Sequence, residues 1–107
     1  MSPLVAITTT LASEAEAIAL AKRVLDDRLA ACVQIESIQS FYTWKDAIHQ
    51  ETEWRVLLKT AKRRAEALIA FLEAHHPYEQ PEILLTEISF ASESYIAWVQ
   101  AMTREHD

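Results

Sequence analysis

Residues 31–60 read ACVQIESIQSFYTWKDAIHQETEWRVLLKT, two alternating stretches on either side of a short polar break. From Ala31 to Trp44, Val33 and Ile35 recur in one phase and Ile38, Tyr42 and Trp44 in the other, the period-two signature of a strand. The phase slips near Glu36 and Ser37, where a one-residue β-bulge would bring both groups to one face. Lys45-Asp46-Ala47 forms the break, with Asp46 the residue best able to take a left-handed backbone. From Glu51 to Thr60 the alternation resumes, Trp54, Val56 and Leu58 against Glu53, Arg55 and Lys59. Together the stretches predict one long, bent β-hairpin.

Outward from the hairpin, the elements fall in a simple order. Leu4 to Thr9 is a strand with Val5 and Ile7 on one side. Ser13 stands three residues before Glu16, a capping-box pattern, and opens a helix whose predicted stripe is Ile18, Ala21, Val24, Leu25 and Leu29. A second helix runs from about Lys62 to His75 on Ala65, Leu68, Ile69 and Leu72, and Pro77 ends it. Ile83 to Phe90 reads as a strand. Ser92 or Ser94 then caps a last helix carrying Tyr95, Trp98, Val99 and Met102. The order β-α-β-β-α-β-α predicts an α+β, ferredoxin-like βαββαβ sandwich with an extra C-terminal helix, in one domain spanning residues 1–107. Two helices cover one sheet face, yet the hairpin is apolar in both phases. The third helix and a subunit interface are the expected second cover.

Composition narrows the function. Half of the 107 residues are apolar and about a quarter charged, as in a globular chain. Sixteen acidic against ten basic residues give a net charge of −6, which opposes nucleic-acid binding and any polybasic membrane signal. No apolar run is long enough for a membrane helix, and the start lacks a signal-peptide pattern, so the expected compartment is the cytoplasm. The single cysteine, Cys32, excludes an intrachain disulfide and a paired-cysteine zinc site. There is no glycine at all, so no glycine-built phosphate loop exists, and tight hairpins of the Asn-Gly kind are not expected.

Four strings in order resemble the CutA family of divalent-cation tolerance proteins. They are Leu29-Ala30-Ala31-Cys32-Val33, Phe41-Tyr42-Thr43-Trp44-Lys45, Leu58-Lys59-Thr60, and His75-His76-Pro77-Tyr78-Glu79-Gln80-Pro81-Glu82-Ile83. The similarity runs from about Leu4 to Met102. It implies a homotrimer whose long hairpins pair between subunits, similar in build to PII-type signalling proteins. It also implies tolerance of divalent metals, copper above all, and no enzymatic activity. Two positions depart from the family pattern. Asp46 stands where glycine is common. Thr9 stands where some members carry a cysteine proposed as a copper ligand, and threonine is a poor substitute for thiolate.

Among the site candidates, His75 and His76 are the imidazoles for Cu(II) or another divalent metal, and the family's copper proposals involve the matching pair. Neighbours on a helix point about 100° apart, so a shared ion requires His76 to leave the helix before Pro77. The alternative makes His75 an extension of the apolar stripe at a helix C-terminus. Cys32 is either a thiolate ligand or a small buried hydrophobe. Tyr78 and Glu79 sit in a loop stiffened by Pro77 and Pro81, where Glu79 could meet Lys59 or Arg55 in a cleft between subunits. That cleft, with Trp44 beside it, either takes a small ligand, as in a PII-like signalling module, or fixes the register of a structural scaffold. Trp44, Trp54 and Tyr42 read as interface core or pocket wall, and His49 and His106 as solvated. Cys32, His76, Tyr78 and Glu79 are the only pieces for an enzyme, and no spacing ties them into a nucleophile–base pair.

Overall fold

The computed structural model describes residues 2–105, so His106 lies outside the described residues. In chain order the elements are β1 (Leu4–Leu11), α1 (Glu14–Asp26), β2 (Cys32–Trp44), β3 (Ala47–Ala61), a 3₁₀ turn (Lys62–Arg64), α2 (Ala65–His75), β4 (Leu84–Ile88) and α3 (Glu93–Met102). The strands form one antiparallel sheet in the order β2-β3-β1-β4. With two helices on one face, this is the ferredoxin-like arrangement expected from the element order.

Local chemistry sets the helix ends. Ser13 caps α1 by accepting from the Glu16 N–H at 3.1 Å, and its hydroxyl donates to the Glu16 carboxylate. The other end of α1 closes with a Schellman motif built without glycine: Leu29 N–H donates to Val24 O, and Arg28 N–H to Leu25 O. Arg28 supplies the left-handed residue, at φ 57°. The helix predicted from Lys62 instead begins with a 3₁₀ turn. Its arginines tie the helix ends together: Arg64 donates to Asp27 O, Arg28 O and Glu105, and Arg63 to Gln100 O and Thr103 O. Apart from the Glu105 carboxylate, these acceptors are main-chain carbonyls at or just beyond helix C-termini, which are left to be satisfied.

The core lies between the sheet and α1 and α2. Val5, Ile7, Val56 and Leu58 pack with Ala17, Val24, Leu68 and Leu72, all fully buried or nearly so. The predicted stripe of α1 is rotated: Ile18 and Leu25 are more than 40% exposed, while Ala17, Leu20 and Val24 face the sheet. Two apolar stripes compete on this helix. The one with alanine at position 17 allows the closer approach that dense packing rewards. Trp54 belongs to this face too, opposite Leu11 at the edge of the core, not beside Trp44.

The hairpin departs from expectation in two ways. Its register runs without interruption from Cys32↔Lys59 to Trp44↔Ala47, so there is no bulge at Glu36-Ser37. The two apolar phases serve different ends of the hairpin. Val33 and Ile35 face the helices, whereas Ile38, Tyr42 and Trp44 occupy the opposite face where the hairpin leaves the body. The turn is also a tight two-residue one, with Lys45 at φ 51° and Asp46 at φ 64°. Positive φ at both central residues matches the twist of the flanking strands. That geometric demand overrides the lack of glycine. The projecting hairpin makes the chain long, 45 × 28 × 21 Å, with a radius of gyration of 14.6 Å against about 13 Å for a compact chain of this length.

Candidate ligand and metal sites

Pro77 decides what happens to the two histidines. It forces His76 out of the helix, to φ −74° and ψ 133°, while the His76 N–H still closes α2 on Leu72 O. The His76 ring then turns under the end of β1. Its Nε2 lies 2.9 Å from Thr10 O, and its Nδ1 accepts the Tyr78 N–H at 3.1 Å. A carbonyl on one side and an N–H on the other assign the tautomer from the hydrogen-bond network: Nε2 carries the proton, and the Nδ1 lone pair is taken. His76 is therefore a pin joining β1 to the Tyr78 loop.

His75 remains helical and exposed. Its Nδ1–H donates to Phe71 O at 2.9 Å, and its ring stacks on Phe71 at 4.2 Å between centroids. Nε2 is left as an oriented lone pair, the arrangement that metal-bound histidines use when a carbonyl holds the other nitrogen. The ring borders a cavity of about 400 Å³ between α1 and α2, which Glu16 also lines. Arg23 lies over the other part of this wall, 5.2 Å from the Phe71 centroid.

Cys32 is not brought to the histidines. It is half-buried, pairs with Lys59, and touches Tyr95 of α3, whose phenol is pushed up by burial and by this thiol. Thr10, which holds His76, pairs with Arg55, four residues along β3 from Lys59, or about 13 Å. Among the described residues, no group of three or more His, Cys, Asp or Glu side chains is placed to hold a metal. Thr9, at the position of the family cysteine, is fully buried, and its hydroxyl has no partner among the described residues. Thr9→Val is therefore expected to raise stability by about 1 kcal/mol, read as a higher urea midpoint. A lower midpoint would show that the hydroxyl is needed.

The cleft residues separate in the same way. Tyr78, Glu79 and Trp44 line one groove of about 530 Å³ between the hairpin and the loop after α2. Within one chain Lys59 is not part of it, lying about 20 Å along β3 from Glu53 at the groove. Arg55 is bound to Glu36 at 2.9 Å and does not meet Glu79. The partners of the tyrosines are instead two glutamates that the sequence reading passed over. Tyr78 Oη donates to Glu53 at 2.8 Å, and Tyr42 Oη donates to Glu51. The bond to Glu51 pushes the Tyr42 phenol up to about 12, and burial followed by the Glu53 bond raises Tyr78 further, so both remain donors. The available signal was Glu51 and Glu53 at alternate positions of one strand, hence on one face. His49, expected to be solvated, is half-buried and stacks on Tyr42 at 5.4 Å.

Comparisons with known proteins agree with this geometry. The family model for the CutA1 divalent ion tolerance protein matches residues 5–102. The divalent-cation tolerance protein CutA of Escherichia coli (strain K12 / DH10B) is 37% identical over 101 residues, covering 94% of this chain and 90% of the relative. The structure of CutA from Synechococcus elongatus PCC7942 superposes with a TM-score of 0.94 at 36% identity, over 97% of this chain and 93% of that one. The periplasmic divalent cation tolerance protein CutA from Archaeoglobus fulgidus gives 0.91 at 31% identity, over 94% and 99%.

Proposed function

The chain belongs to the CutA1 divalent ion tolerance family, and from that premise we propose that it acts in metal tolerance as a cytoplasmic homotrimer that binds a divalent ion, Cu(II) foremost, without catalysing a reaction. The observation that carries the metal reading is His75: its Nδ1–H is held by Phe71 O, and its Nε2 lone pair is exposed at a cavity shared with Glu16. Imidazole suits Cu(II), which stands highest among the divalent first-row ions for nitrogen ligands. Glu16 Oε1 is engaged by Ser13, which leaves its second oxygen for the ion. With one imidazole and one carboxylate per chain, water fills the remaining positions. Such a site suits an ion that is taken up and released. His76, with both nitrogens committed, is not assigned a ligand role. The trimer is supported by the apolar residues left exposed on the hairpin. The cytoplasmic reading is supported by a lone free cysteine, and no helix among the described residues is long and apolar enough to cross a membrane.

The test is Cu(II) titration followed by native mass spectrometry and calorimetry. Wild type is expected to retain up to one copper per chain, and His75→Ala to lose about 100-fold in affinity or more. Equal copper retention by wild type and His75→Ala would overturn this site.

A further inference from the structure

We infer that the cavity between α1 and α2 is a binding site for a free α-amino acid with a large apolar side chain, held as its zwitterion. The inference goes beyond metal tolerance and does not rest on the copper reading, although the two share Glu16 and His75. At about 400 Å³ the cavity falls within the range of small-molecule pockets. Leu11 and Leu72, both nearly fully buried, and the half-buried Leu20 and Phe71 give it apolar walls. None of the described residues lining it belongs to the hairpin on which the subunit contact is placed.

The placement of charge selects the ligand. Glu16, Ala19, Leu20 and Arg23 share one face of α1, so an acid and a base bracket an apolar middle. An acid early in a helix and a base late in it are ordinary by themselves, because both suit the helix dipole. Here the two border the same cavity. They stand about 10 Å apart along the helix axis. An α-amino acid whose ammonium and carboxylate each make one hydrogen bond bridges about 8–9 Å between its partners. The lean of the Arg23 side chain toward the helix N-terminus closes the difference. Arg23 is available for this role: its contact with Asp27 is long, 3.7 Å from Nε, and its guanidinium carbon lies 5.2 Å from the Phe71 centroid at the cavity wall. Ser13 engages one oxygen of Glu16, and Phe71 O holds the His75 ring with Nε2 as an acceptor. The ammonium is thus offered two acceptors and the carboxylate a fork of donors. The side chain is offered Phe71 and Leu20. A simple carboxylic acid would bring its charge into a cavity that already holds Glu16, and a simple amine would leave Arg23 unused.

The experiment is calorimetric titration of L-leucine into the native, assembled protein, freed of metal with EDTA. Two analogues that each lack one charge, isocaproate and isoamylamine, are titrated beside it. Leucine is expected to bind saturably, and each analogue about threefold more weakly, because each loses one exposed charge pair. Arg23→Gln should weaken leucine and isocaproate about threefold and leave isoamylamine unchanged. Glu16→Gln, which preserves the capping box, should weaken leucine and isoamylamine about threefold and leave isocaproate unchanged. Absence of leucine binding by the assembled protein would overturn the inference. Isocaproate binding as tightly as leucine would overturn it too, as would unchanged leucine affinity in both variants. Because no metal is present, none of these outcomes depends on whether the protein retains copper.

Discussion

His76→Ala is expected to lower stability by about 2–3 kcal/mol and to leave copper retention unchanged. The ring makes two hydrogen bonds at once, to Thr10 O and from the Tyr78 N–H. Each such bond is worth about 1 kcal/mol net, and more when its loss leaves a sheltered partner unsatisfied. Edge-on contact with Tyr78, at 4.8 Å between centroids, is lost as well. Removing the ring therefore frees the loop from β1. Tyr78 would lose its support, and the Tyr78–Glu53 bond would loosen with it. Urea unfolding measures the first effect, and native mass spectrometry with one equivalent of Cu(II) measures the second. A variant that melts like wild type but sheds its copper would contradict the assignment of His76 as a pin. The neighbouring His75→Ala is expected to do the reverse, since its ring is exposed and its main-chain bond is local.

If the chain forms the proposed trimer, charging the projecting hairpin is expected to reduce it to monomers. Phe41 is 67% exposed and Ile48 82% exposed within one chain, together on one face of the hairpin, while Tyr42 and Trp44 are left exposed on the other. An apolar patch of this kind, on a strand pair that runs beyond the helices, is left uncovered by the chain's own elements. Fully burying one such side chain is worth about 1.5–3 kcal/mol, and the gain repeats in every subunit of a closed ring. Phe41→Asp with Ile48→Asp replaces that gain with the cost of burying two carboxylates at the contact. Light scattering should then report a mass near 12.2 kDa in place of three times that value. Circular dichroism should change little, because neither residue belongs to the core under α1 and α2. A trimer that survives both substitutions would place the subunit contact elsewhere.

Much of this architecture was legible before any coordinates. Alternation in residues 31–60 and the stripe Ala65, Leu68 and Leu72 are local patterns that report burial directly, and the sheet order followed from the sequence of elements. Errors arose where two local patterns were compatible. On α1, the stripe through Ile18 and the stripe through Ala17 were both periodic, and only close packing chose between them. At Glu36-Ser37 a change of phase suggested a bulge, whereas the hairpin keeps its register and presents its two ends to different surroundings.

By itself, then, the sequence determined the element types and their order, the exit of His76 from its helix before Pro77, and the family through its four strings. All of these depend on spacing along the chain. Only the tertiary structure decided which nitrogen of His76 is protonated, that Tyr78 donates to Glu53, that Lys59 lies far from Glu53 at the groove, and that Cys32 faces Tyr95 and not the histidines. Each of these depends on the register between segments far apart in sequence. A one-residue slip in that register reverses every side chain's face without changing any local pattern.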